Sequence, residues 1–309
     1  MRRDHFRVTS RLVFSLVLLA SLCASHIAHA QVDYNFHRLT VDHGLTHNTV
    51  YALHQDRYGY LWIGTGRGLH RYSGSTLKTF QHDRKDPKSL GPGFVRTIFE
   101  DSRGRLWVGT EGGGVSIYEH GTFERYEADS TEGSLSHGFV EDIIELPDGT
   151  ICLATWGGGI NFFRDGQFTQ LRHDPNDAGS LPSDDIVDVM YDDETGILWV
   201  GTWDKGLCAL KDSTVTRYFQ DPEGFNSIQP RTLARTVDGA IWIGTWGDGL
   251  YRFQNGAFER FDFGKGRDNP VEENKILSLS SKPDGGLWIG SFGGGVKYYD
   301  GESFRRFYS

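Results

Sequence analysis

The sequence predicts an all-β protein, a β-propeller of four-stranded antiparallel blades. Three observations carry that expectation. A five-residue motif, Leu61-Trp62-Ile63-Gly64-Thr65, returns at 106–110, 151–155, 198–202, 241–245 and 287–291, six copies spaced 43 to 47 residues apart. The segments between the copies are short and strand-like, and none holds a helical period. Forty glycines punctuate the chain, several in one equivalent turn of each repeat. A repeat of this period built from strands alone corresponds to one propeller blade.

The first repeat shows how a blade is written. Val50 to His54 is the first strand. Asp56-Arg57-Tyr58-Gly59 is a turn, with an aspartate that folds onto its own backbone and a glycine free to take positive φ. Leu61 to Thr65 is the second strand, with Trp62 and Gly64 on one face and Leu61 and Ile63 on the other. A glycine turn leads to a third strand, Leu69 to Tyr72. The fourth, Leu77 to Phe80, is short and half polar, as an exposed edge requires. Repeat three departs most, with Cys152 and Ala154 in place of Trp and Gly, so its second strand is expected to pack differently.

The fourth strand has one more copy than the motif. Phe36-His37-Arg38-Leu39 carries its pattern and precedes all six repeats. Six full repeats plus one extra N-terminal outer strand suggest an incomplete seven-bladed propeller. The alternative is a strand that pads blade six. An unfinished ring leaves apolar faces bare, so the isolated chain is expected to be marginal or oligomeric.

Residues 1–30 read as a secretory leader: arginines at 2, 3, 7 and 11, an apolar stretch from Leu12 to Cys23, and Ala28-His29-Ala30 before the cleavage point. The mature domain is then 31–309, exported and periplasmic. Losing four arginines and one aspartate takes the 32 basic and 41 acidic side chains to 28 and 40, or −12 net. That charge argues against a nucleic-acid partner, which needs a basic face. After the leader no apolar run is long enough to span a bilayer. Cys152 and Cys208 read as buried thiols on separate blades, and no zinc pattern is present.

The stretches 36–50 (FHRLTVDHGLTHNTV) and 56–69 (DRYGYLWIGTGRGL) closely resemble the opening repeat of the two-component regulator propeller family. The resemblance covers essentially all of 34–309. It implies an extracytoplasmic sensor of a signalling protein whose output is a histidine kinase or diguanylate cyclase, with glycan fragments as a common stimulus. No such output is read in these residues, so the expectation is a non-enzymatic module with no cofactor, no metal and no catalytic residue. Its partners would be a small-molecule or oligosaccharide ligand and a signalling protein. Streptogramin lyases are similar propellers and enzymes, and they remain an alternative. A pure interaction scaffold is the other.

Two residue sets are candidates for ligand contact. The position after each motif holds Trp156, Trp203, Trp246 and Phe292 in four consecutive blades. Aromatic platforms suit sugar rings, although large apolar side chains also pack blade to blade. Ten residues before the second motif position, on the wall of the channel, stand Asp142 and Asp188. They suit sugar hydroxyls, a calcium ion or acid catalysis, or they are simply the polar lining of a wet channel. The glycine turns offer a phosphate cradle, but a turn repeated in each blade without a following helix is structural. His82-Asp83 and His173-Asp174 resemble dyads, yet an aspartate recurs at that place in most repeats, as turn chemistry does.

Overall fold

A computed structural model describes residues 38–129, 131–218, 229–266 and 270–307. The leader 1–30 lies outside the described residues, as do Phe36 and His37 of the extra strand. Arg38 and Leu39 are not in a strand. Among the described residues, 24 strands form six four-stranded antiparallel sheets, each an up-and-down meander in chain order. Apart from these there are a single 3₁₀ turn, Val41–His43, and a four-residue helix, Pro270–Glu273.

The first strands are β1 (Val50–Gln55), β5 (Val95–Glu100), β9 (Val140–Glu145), β13 (Ile186–Asp192), β17 (Pro230–Arg235) and β21 (Ile276–Ser281). Each packs against the next from β1 round to β21, which puts them innermost about the axis. All six carry a bulge after their first residue, for instance between Val95 and Thr97. A bulge adds one unpaired residue and sharpens twist.

The motif is a set of blade-closing contacts. Its Trp is core: Trp107 and Trp242 are fully buried. The indole N–H reaches back across the preceding turn, donating to Asp56 from Trp62 at 2.8 Å, to Asp101 from Trp107 at 2.9 Å and to the Thr236 hydroxyl from Trp242 at 3.0 Å. The same Asp101 accepts the N–H groups of Arg103 and Arg105, so one carboxylate holds both turn and core. The motif Gly lets the next blade close in. A Cβ on Gly64 would stand 2.6 Å from Val95 Cγ1, and one on Gly244 would stand 2.6 Å from Ile276 Cγ2. The hydroxyl of the motif Thr donates to a glycine carbonyl at the start of the third strand: Gly68, Gly114, Gly159, Gly206 or Gly249.

Repeat three corrects the sequence expectation. Its second strand, Ile151–Thr155, is wholly buried and keeps the common register. What changes is the turn: Leu146 stands where the indole-binding aspartate would be, so loss of the Trp and loss of its partner go together. Cys152 and Cys208 are buried and unpaired, and burial pushes both thiols up, Cys208 to about 12.

A second pairing links loop to third strand. The buried His70, Ser116 and Asn161 accept the N–H groups of Thr46, Gly91 and Ser136 from the segment entering each blade. Blade four has Pro182 at that entry position, which lacks the N–H, and Cys208 where the acceptor stood. A buried polar side chain thus appears where a donor must be satisfied.

Candidate ligand-binding face

The residue after each motif begins the loop at one end of the channel. Its backbone is fixed by the segment entering the same blade. Trp156 N–H donates to Phe139 O, Trp203 to Asp185 O, Trp246 to Gln229 O and Phe292 to Lys275 O, at 2.9 to 3.0 Å. That spacing lays the aromatic rings side by side across blades. Phe139 and Trp156 lie 6.1 Å apart between centroids, Trp156 and Trp203 5.3 Å, Trp203 and Trp246 6.2 Å, and Trp246 and Phe292 6.4 Å. The four sequence-predicted aromatics therefore form one continuous arc, which Phe139 extends. Exposure rises along it: Trp156 and Trp203 are half-buried, Trp246 is 37% exposed and Phe292 59%.

The arc borders a charged centre whose arginines sequence reasoning missed. Arg96 and Glu141 are bulge residues of neighbouring inner strands. Arg96 Nη2 lies 2.9 and 3.0 Å from the two Glu141 carboxylate oxygens, and Arg231 reaches the same carboxylate at 3.3 Å from blade five. Contact between residues so far apart in sequence places the bulge side chains at the axis. Arg96 also lies over Phe139 and over Tyr51, which stacks on Phe94 at 5.8 Å. Lys275 lies over Trp246 and Phe292. Near Trp156 and Trp203, burial and the charges of Asp204 and Asp184 raise the Asp185 carboxyl.

Asp142 and Asp188 lie in neighbouring blades and line a separate open pocket of about 470 Å³ with Glu145, Tyr191 and Thr232. Each reaches into the next blade: Asp142 accepts the Val189 N–H at 3.3 Å and Asp188 that of Leu233 at 2.5 Å. Burial, then the Asp142 charge beside it, pushes the Asp188 carboxyl well above the usual carboxylate range. The pair ties three inner strands. The aromatic arc and the acid pair are thus not brought together into one site.

Other sequence candidates resolve into structure. Gly112 and Gly114 aim their N–H groups at Gly138 O, and Gly157 and Gly159 aim theirs at Asp184 O, so these amides bind the next blade. His82 and His173 bond to the carbonyls of Leu90 and Leu181, while Asp83 and Asp174 cap their own turns. Among the described residues no group of three or more His, Cys, Asp or Glu could hold a metal ion.

Three stretches, 44–67, 89–112 and 180–204, match the family model described as two component regulator propeller. Each runs from a blade entry through the inner strand and turn into the motif strand, the part that makes the inter-blade contacts above. Among solved structures, the chain is similar to two extracellular domains from B. thetaiotaomicron assigned to hybrid two component systems. For BT3049 the TM-score is 0.74 at 24% identity, over 90% of this chain and 37% of that one. For BT4673 it is 0.66 at 24% identity, over 83% and 36%. Histidine kinase P4 of Formosa agariphila is 33% identical over 78 residues, 25% of this chain and 6% of that protein. The chain therefore spans little more than a third of those domains and a small part of the kinase. Three of the six repeats of this propeller thus match the model of the two-component regulator propeller family.

Proposed function

We propose that this propeller is the exported, ligand-recognising sensor module of a two-component-type signalling system, and that it binds a glycan-derived ligand without transforming it. The observation that carries the reading is the aromatic arc from Phe139 to Phe292. Rings set 5 to 6.5 Å apart on a partly open face offer successive apolar platforms, which match the C–H faces of successive sugar rings. Arg96, Arg231 and Lys275 beside the arc supply donors for hydroxyl or carboxylate oxygens. The names of the similar proteins, extracellular domains of two-component systems and a histidine kinase, support the signalling context. The leader at 1–30 supports export. Among the described residues no helix is long and apolar enough to cross a membrane.

Titration of the mature protein with a panel of neutral and acidic oligosaccharides, followed by tryptophan fluorescence and product analysis, tests the proposal. Saturable quenching with recovery of intact oligosaccharide is the expected result. Release of shortened or unsaturated products would make the protein a lyase-like enzyme, and no response to any member would leave a scaffold. Trp246→Ala should weaken binding about tenfold or more while the melt moves little, since that ring is already over a third exposed. If Trp246→Ala unfolds the protein as readily as loss of a core Trp, the arc is blade packing.

A further inference from the structure

The aromatic face carries its own cations at both ends and none in the middle. Arg96 lies over Tyr51 and Phe139, 5.2 and 5.4 Å from the ring centroids. At the other end Lys275 lies over Trp246 and Phe292, at 5.2 and 5.3 Å. In each case one positive group serves two rings, because the face of an aromatic ring is its negative pole. Between these ends stand Trp156 and Trp203. Their rings are tilted at 52°, much as Trp246 and Phe292 are at 55°. Both indoles are partly exposed. Among the described residues no cation lies over either of them.

A carboxylate stands at this middle pair instead. Asp185 bridges to Trp156 on one side and accepts the Trp203 N–H at 2.9 Å on the other. The acids beside it have partners: Asp184 has Arg172 at 2.8 Å and Asp204 has Lys205 at 3.7 Å. Asp185 forms no ion pair among the described residues. Burial and the charges of Asp204 and Asp184 raise its carboxyl, so a cation arriving there relieves a repulsion that the fold leaves in place. The Trp246–Phe292 pair is thus filled from inside by an ammonium. The Trp156–Trp203 pair has the same tilt and is open, with a carboxylate where a lysine would be.

We propose that Trp156, Trp203 and Asp185 hold an ammonium group of the ligand, so that the oligosaccharide read by this face carries a free amino group, an inference that rests on the glycan-binding reading above. A divalent metal does not fit this place, since calcium takes roughly six to eight oxygen ligands and Asp185 brings one carboxylate. A lone small cation would leave the flanking rings unused, whereas an amino sugar within a longer chain uses the rings on both sides.

Three tetramers with one β-1,4-linked backbone, of glucosamine, N-acetylglucosamine and glucose, are titrated calorimetrically in mildly acidic buffer, which keeps a sugar amine charged. The glucosamine tetramer should bind at least about tenfold more tightly than the other two, as a cation shared by two indoles and a carboxylate requires. The preference should shrink as salt rises. Asp185→Asn keeps an oxygen acceptor and removes the charge. It should bring the three affinities within about threefold of one another. Asp185→Ser serves the same purpose if the amide variant does not fold. Equal binding of the three tetramers by the parent would keep the glycan reading and overturn the ammonium site. A preference that survives at position 185 in both variants would overturn its assignment to this ring pair. No binding of any of the three overturns the inference, and a response to another member of the oligosaccharide panel would then leave the glycan reading standing. Tighter binding of an oligolysine peptide than of the glucosamine tetramer would assign the ammonium to a protein partner and overturn the sugar.

Discussion

Trp107 serves both packing and polar satisfaction. Its ring is fully buried, lies edge-on to Phe163 at 5.1 Å and donates to Asp101. Trp107→Ala should cost about 3–5 kcal/mol, the usual range for emptying a large aromatic site. A thermal melt within error of the parent would contradict it. Two acids, Asp101 and Asp188, respond to pH in opposite directions. Burial pushes the Asp101 carboxyl up, but hydrogen bonds from Trp107 and Arg105 outweigh it, and the group sits below its ordinary range. Its stabilisation is therefore present above the unfolded pKa and is lost as pH falls through the lower folded value. Asp188 sits well above its ordinary range, so its favourable term exists in acid and fades as pH rises through the raised folded value. Asp188→Asn keeps an oxygen for the Leu233 N–H and cannot ionise. It should raise the melting midpoint at pH 8 relative to the parent, and the gain should shrink toward pH 5. A gain or loss that does not vary with pH would show that burial does not raise the Asp188 carboxyl.

Each letter of the Leu-Trp-Ile-Gly-Thr element has a contact, and the glycine is the most exacting. Gly244→Ala would put a methyl 2.6 Å from Ile276 Cγ2 and 2.7 Å from Thr232 Cγ2. Blade five and blade six would have to part, at about 1–3 kcal/mol, as in other overpacked cores. Denaturant melts of Gly244→Ala and of Gly64→Ala check this, and an unchanged midpoint in both would show that the blades yield freely. Blade three tolerates Ala154 at that place because Asp142, not a β-branched threonine, stands opposite it. The regular part of this architecture was legible in the sequence because the motif reports local strand pairing: the second strand runs Leu61–Thr65 and the fourth Leu77–Phe80, as expected. The bulges were not legible, since an extra residue in an inner strand changes no residue type. Arg96 and Arg231 therefore went unnoticed at the axis. Phe139 was missed because it precedes a strand, where alternation says nothing about facing. The aromatic run Trp156, Trp203, Trp246 and Phe292 was visible because it keeps a fixed offset from the motif. The indole–aspartate bond explains a further regularity, the aspartate six residues before Trp62 and Trp107, which the sequence suggested only as turn chemistry.

At the scale of the molecule, stability is a sum over blades and the interfaces between them, as in other repeat proteins. Blades two to five each have two covered faces, while blade one and blade six each have one face with exposed apolar residues, including Leu53 at 62% and Val296 at 40%. Local opening needs less free energy where fewer apolar contacts are broken. The chain should thus open from its two end blades inward rather than in one step. Amide hydrogen exchange would show it. The motif strands Leu106–Thr110 and Ile151–Thr155, in which each residue is buried, should protect longest. Amides of β1 and β21 should exchange at least about tenfold faster than those of β5 and β9, which corresponds to roughly 1.4 kcal/mol of easier opening. The comparison is fair because all four are inner strands with the same bulge and the same pairing to a motif strand. Any difference then reports the missing neighbour rather than strand type. Uniform exchange across the six inner strands would mean that the ring unfolds as one unit and that its open faces weigh little in its stability.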